Sequence, residues 1–129
     1  MISLHKFRED AMDKNIEISL LYDFYGQLLS LKQQQAVSLY YNDDLSLSET
    51  AEVMGITRQG VRDLVKRSEA ELYEYEQKLG LYKRFEQVGE YAANIRRLSD
   101  ILCESSDPVI VKTAQEISAL ADKLYSEEA

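Results

Sequence analysis

Apolar residues recur at three- and four-residue spacing along most of this chain, which predicts helices rather than strands. From Ile16 the first such stretch carries Leu20, Leu21, Phe24, Tyr25 and Leu28 on one side and Glu17, Asp23 and Gln27 on the other. Ser30 opens a second helix. Gln33, three residues on, completes a capping box in which the serine oxygen accepts from the third helical amide and the glutamine reaches back. Ala36, Val37, Tyr40 and Tyr41 form its apolar side, and Asn42, Asp43 and Asp44 end it with turn chemistry.

The sharpest signal lies between Leu45 and Ser68. Ser46 and Glu49 form another capping box before a short helix that carries Ala51, Val53 and Met54 and stops at Gly55. Ile56 is read as plugging the turn and Thr57 as capping the next helix, whose buried side is Val61, Leu64 and Val65. Two helices joined by a turn of three or four residues make a helix-turn-helix. Ala51, Met54, Gly55, Ile56, Val61 and Leu64 are its expected core, because steeply crossing helices need a small residue and a glycine where they meet. Thr50 stands where the motif usually carries an aliphatic residue, and it can bury its methyl and bond back to a carbonyl.

The apolar pattern then continues with a bend or break expected near Gly80. Val88, Tyr91, Ile95, Leu98 and Leu102 follow one another at steps of three, four, three and four, the seam of a packed helix pair. Asp107 as cap and Pro108 at the first helical position restart a helix through Ile110, Ala114, Ile117, Ala121 and Leu124. This helical hairpin either packs back on the domain or completes a dimer through its seams, because a single helix-turn-helix reads few base pairs and commonly works in pairs. The expected organisation is a tail or extension over residues 1–11, the helix-turn-helix domain over 12–79, and a C-terminal helical arm over 80–129.

Composition narrows the class. One proline and five glycines in 129 residues are too few for a turn-rich sandwich or barrel, so the fold class is all-α. Cys103 is the sole cysteine, which excludes an internal disulfide and points to a reducing compartment. The sole histidine, His5, lies in the leading segment, so a cysteine–histidine pair is not expected, and Cys103 reads as a half-buried helix residue. No run approaches the ~18 apolar residues of a membrane span. A cytoplasmic protein without cofactor, metal or enzymatic site is expected, since phosphate loops and metal-ligand spacings are lacking and the Asp43–Asp44 pair stands alone.

A net charge of −8 argues against a general electrostatic coat for polyanions. Its distribution changes that picture. From Thr57 to Ser68, four cations face only Asp63, so this helix carries +3 and the rest of the chain −11. At 100° per residue, Arg58, Gln59, Arg62 and Lys66 share one quadrant beside the buried face. Arginine and glutamine forks can grip guanine and adenine edges in a major groove, and Lys66 and Arg67 suit phosphates. Thr57, Arg58, Gln59, Arg62, Lys66 and Arg67 are therefore the candidate nucleic-acid contacts. A solvated basic face, or a surface for RNA or an acidic protein, remains an alternative, because turn geometry does not dictate the partner.

The runs LKQQQAVSLYY from Leu31 to Tyr41 and DLSLSETAEVMGITRQGVRDLVKR from Asp44 to Arg67 resemble region 4 of bacterial sigma factors. With LLYDFYGQLL (residues 20–29) upstream and EAELYEYEQKL (residues 69–79) downstream, the chain more closely resembles the YlxM family. These are small bacterial helix-turn-helix proteins whose genes neighbour that of the signal recognition particle GTPase. The resemblance covers roughly Ile16 to Leu81. It implies a regulatory or accessory role in the signal recognition particle pathway, with the particle's RNA or its GTPase as partners. Met1 to Ala11 lie outside the family pattern, which favours Met12 as the start.

Overall fold

The computed structural model describes residues 14–128. The expected tail over 1–11, His5 and Met12 lie outside them. Every regular element among the described residues is helical: α1 (Lys14–Tyr25), α2 (Leu31–Val37), α3 (Leu47–Met54), α4 (Arg58–Leu79), α5 (Leu81–Leu102) and α6 (Pro108–Glu128). The fold is all-α. The chain divides into two compact units between Tyr82 and Lys83.

In the first unit α4 is the axis against which α1, α2 and α3 each pack. Its C-terminal half buries Leu72 against Ile18, Leu21 and Tyr25 of α1, with Leu29, Val37 and Tyr82 closing that cluster. Its N-terminal half buries Val61 and Val65 against Ala36 and Ala51. Both capping boxes expected from sequence are formed. Ser30 Oγ accepts from Gln33 N at 3.2 Å, while Gln33 Oε1 accepts from Ser30 N at 2.9 Å. Such reciprocal bonds satisfy amides that the first helical turn leaves without partners.

Two elements of the first unit depart from simple periodicity. The α-helix stops at Tyr25 and a 3-10 turn follows over Gly26–Leu28. The tighter period rotates Leu28 into solvent and brings Leu29 into the core, against the expectation that Leu28 continues the apolar stripe. After Val37 the chain widens into a π turn, Ser38–Asn42, and leaves Tyr40 and Tyr41 half-buried. Asp44 then takes φ 59°, a left-handed conformation that aspartate tolerates in turns.

Carboxylates are also buried here. Glu17, expected on the polar side of α1, is 1% exposed, because α4 covers that side and its Tyr73 hydroxyl donates to Glu17 Oε1. Tyr41 donates likewise to Glu69. Tyr25, in the centre, donates to Glu76 Oε1 at 2.5 Å and accepts from the Leu81 amide at 2.9 Å, while Glu76 Oε1 also accepts from the Tyr82 amide at 3.0 Å. Gly80 (φ 62°) makes the expected break, and Glu76 with Tyr25 thereby caps the start of α5. Burial and the Glu76 carboxylate push the Tyr25 phenol up to about 12.

The second unit comprises the rest of α5 and α6. As expected, Asp107 caps α6, its Oδ1 accepting from Val109 N at 2.9 Å ahead of the first turn. Cys103 is half-buried and sits one residue past the end of α5. The buried positions are small: Ala92 and Ser99 on α5, Ala114 and Ala121 on α6. Such residues let two helix backbones approach closely. Tyr125 lies over Gly89, where an added Cβ would stand 3.3 Å from its ring. The large residues of the expected seam are therefore not the ones that join the hairpin. Tyr91 is 64% exposed and Leu98 53%, with Ile95 and Leu102 also on the surface, because the alanine and serine face has taken the inner position.

Candidate nucleic-acid interface

The helix-turn-helix is built by short-range hydrogen bonds. Ser46 Oγ accepts from Glu49 N at 3.0 Å and Glu49 Oε1 accepts from Ser46 N at 2.9 Å. The Ser46 amide first, and the Ser46 hydroxyl second, hold the Glu49 carboxyl below its ordinary range. Thr50 is fully buried and its hydroxyl donates to Ser46 O at 2.8 Å, as its position in the motif required. At the far end Gly55 takes φ 68°, and the Ile56 and Gly55 amides donate to Ala51 O at 3.2 Å and Glu52 O at 3.4 Å. This paired closure is the Schellman turn, which glycine adopts without the strain a Cβ would bring.

Ala51 and Val61 are buried at the crossing, and Met54 and Leu64 pack against them half-buried. Ile56 does not plug the turn. It is 37% exposed and stands outside that cluster, because the left-handed Gly55 carries the chain outward before α4 begins. Its Cδ1 lies instead over the first turn of α4, 3.7 Å from where a Cβ on Gly60 would be. Thr57 Oγ1 accepts from Gly60 N at 2.9 Å, and a Cβ on Gly60 would stand 3.1 Å from that oxygen, so glycine here leaves room for the cap. Val53 also faces solvent, on the far side of α3 from Ala51.

Arg58, Gln59, Arg62, Lys66 and Arg67 are all exposed on α4. Among the described residues no ion pair engages Arg58, Arg62, Lys66 or Arg67. Gln59 is different: its Nε2 donates to Asp63 Oδ1 at 3.0 Å, one turn along the same helix. Arg67 points away from the Arg58–Lys66 quadrant, about 100° past Lys66 around the helix.

A groove of about 290 Å³ extends this surface in a direction the sequence does not show. Arg62, Val65 and Lys66 form one wall, and Lys14, Tyr40 and Leu47 the others. The Tyr40 ring meets Tyr41 edge-on at 4.9 Å, and Lys14 Nζ pairs with Glu69 at 3.2 Å. Lys14 and Tyr40 thus adjoin the cationic face although 52 and 26 residues separate them from Lys66. Only packing of α1 and the π turn on α4 brings them together, and no local pattern signals it.

The sequence pattern of the family described as "Putative helix-turn-helix protein, YlxM / p13 like" matches residues 12–107. A UPF0122 protein of Thermoanaerobacter sp. (strain X514) is 41% identical over 113 residues, covering 87% of this chain and 97% of its own. One from Halalkalibacterium halodurans is 40% identical over 113 residues, covering 88% and 95%. A relative from Bacillus cereus (strain AH187) is 45% identical over 87 residues, covering 67% and 79%. Motif, fold and these relatives agree: the chain belongs to the YlxM/p13-like family of helix-turn-helix proteins.

Proposed function

We propose that this protein is a cytoplasmic regulator that binds nucleic acid through Thr57, Arg58, Gln59, Arg62, Lys66 and Arg67, acts as a homodimer, and takes part in the signal recognition particle pathway. One observation carries the reading. Arg58, Arg62, Lys66 and Arg67 of α4 stand exposed and without ion-pair partners among the described residues, in a chain whose charge outside Thr57–Ser68 is −11. Unneutralised cations gathered on one helix, three of them within one quadrant, are the electrostatic footprint of a phosphate-binding surface, and an acidic body suppresses attachment elsewhere. Docked in a major groove, the Arg58 and Arg62 forks would reach guanine edges while Lys66 and Arg67 hold phosphates.

A second reading is an accessory factor that binds the particle's RNA or its GTPase without sequence-specific DNA recognition. Gln59 favours it, because its amide is held by Asp63 rather than presented to a base. Fluorescence anisotropy across a salt series, with the gene's own promoter duplex, a random duplex and the particle's RNA, separates the two. Direct readout expects Arg62→Ala to weaken promoter binding by about 1 to 3 kcal/mol and to relax base preference. Equal loss on promoter and random duplex would remove direct readout, and binding to the RNA alone would favour the accessory role.

A further inference from the structure

We infer that one broad face of the α5–α6 hairpin is the seat of a second copy of this chain, joined through the same face. The inference rests on the homodimer part of the reading above and is independent of the nucleic-acid part. It begins from the inverted packing of the hairpin, in which Ala92, Ser99, Ala114 and Ala121 are inside and the large apolar residues outside.

Helix geometry places those large residues. Taking the buried Ala92 as the inward direction of α5, Val88, Tyr91, Ile95, Leu98 and Leu102 fall between about 40° and 120° to one side of it. Taking Ala121 as the inward direction of α6, Ile110, Ile117, Leu120 and Leu124 fall between about 20° and 100° to one side. The helices run antiparallel, so both strips lie on the same face of the hairpin. The Arg96–Asp122 ion pair, at 2.5 Å, falls on the opposite face by the same geometry, which gives the hairpin a polar side and an apolar side.

The apolar side has the chemistry of an interface core. No charged side chain interrupts either strip between Val88 and Leu102 or between Ile110 and Leu124, and depletion of charge marks the centre of stable interfaces. Seven of its side chains are about two-fifths exposed or more, Leu120 the most at 66%. Together they present on the order of 700 Å² per copy, close to the ~800 Å² that each partner contributes to a stable complex, and larger than the single apolar residues ordinarily scattered over a surface. A second copy fits because a two-fold axis sets like against like, and an uncharged apolar strip is complementary to itself. The product is a four-helix bundle with small residues between the helices of each hairpin and large residues between hairpins.

The test is the mass of the full chain in solution, by light scattering or sedimentation from about 1 to 100 µM, for the natural sequence and for Leu98→Glu, Leu120→Glu and Ala93→Glu. The first two put a carboxylate on the apolar face and the third on the opposite one; all three sites are exposed, and circular dichroism reports whether helicity is kept. The expected result is a dimer for the natural chain and for Ala93→Glu, with the dissociation constant raised at least about 100-fold in Leu98→Glu and Leu120→Glu. A natural chain that is monomeric at 100 µM overturns the inference and the homodimer reading together. A natural dimer that persists in Leu98→Glu and Leu120→Glu overturns the inference alone. A dimer broken equally by Ala93→Glu also overturns it.

Discussion

The two units solve helix packing in opposite ways. In the first, large side chains are inside: Leu72, Ile18, Leu21 and Tyr25 are fully buried around α4, and even Glu17 and Glu76 are drawn in with hydroxyl and amide partners. In the second, alanine and serine occupy the interior and leucine, isoleucine and tyrosine the surface. The first unit therefore has its hydrophobic stabilisation within itself. The second keeps much of its own apolar area in contact with water, where it contributes only once something covers it.

The sharpest way to break this contrast is to truncate one leucine on each side of it. Leu72→Ala is expected to destabilise the first unit by about 2 to 5 kcal/mol, because it removes buried methyl groups and leaves a cavity. Urea denaturation followed by circular dichroism measures it, and a cost below about 1 kcal/mol would mean that the α1–α4 core is less tightly built than its burial shows.

High pH attacks the same core through its polar centre. The Tyr25 phenol is held neutral by burial first and by the Glu76 carboxylate second, at about 12 against the ordinary 10. A raised folded value means that the stabilisation is complete below pH 10 and is lost as pH climbs from 10 through 12, on the order of 2 kcal/mol in all. Urea midpoints between pH 9 and 12 should fall across that window, and Tyr25→Phe should shallow the fall even though it lowers the starting stability.

Ser46→Ala removes one half of the α3 capping box and is expected to cost about 1 kcal/mol in the first unit, read from the same melts. Smallest of all, Leu98→Ala in protein diluted below any self-association should change stability by no more than about 0.5 kcal/mol, as for an ordinary exposed position. A loss as large as that of Leu72→Ala would show that Leu98 is buried in the single chain, and the contrast between units would fall.

What could be read in the sequence tracks the range of the interactions concerned. Both capping boxes, the Thr50 back-bond, the Gly55 and Gly80 turns and the Asp107 cap join residues at most four or five positions apart, so their chemistry is written locally. Glu17 was beyond reach because the hydroxyl that accompanies it into the core belongs to Tyr73, 56 residues later. Lys14 and Tyr40 joined the candidate interface for the same reason. The seam through Val88, Tyr91, Ile95, Leu98 and Leu102 shows a different limit: its period marks a continuous face, but a period does not say which neighbour that face meets. Ile56 adds a third, since a residue following a left-handed glycine goes where the turn sends it, whatever its hydrophobicity.

The Glu76–Tyr25 cap has a consequence for how the chain is made. The bonds of this cap are complete by Tyr82, because the Leu81 and Tyr82 amides at the start of α5 are met from within α1 and α4. The 47 residues from Lys83 onward take roughly 2 to 10 s to synthesise at ordinary bacterial rates, whereas small helical domains fold in microseconds to milliseconds. The helix-turn-helix can therefore be finished while the hairpin is still being translated, and the apolar face of the hairpin emerges attached to a domain that is already folded.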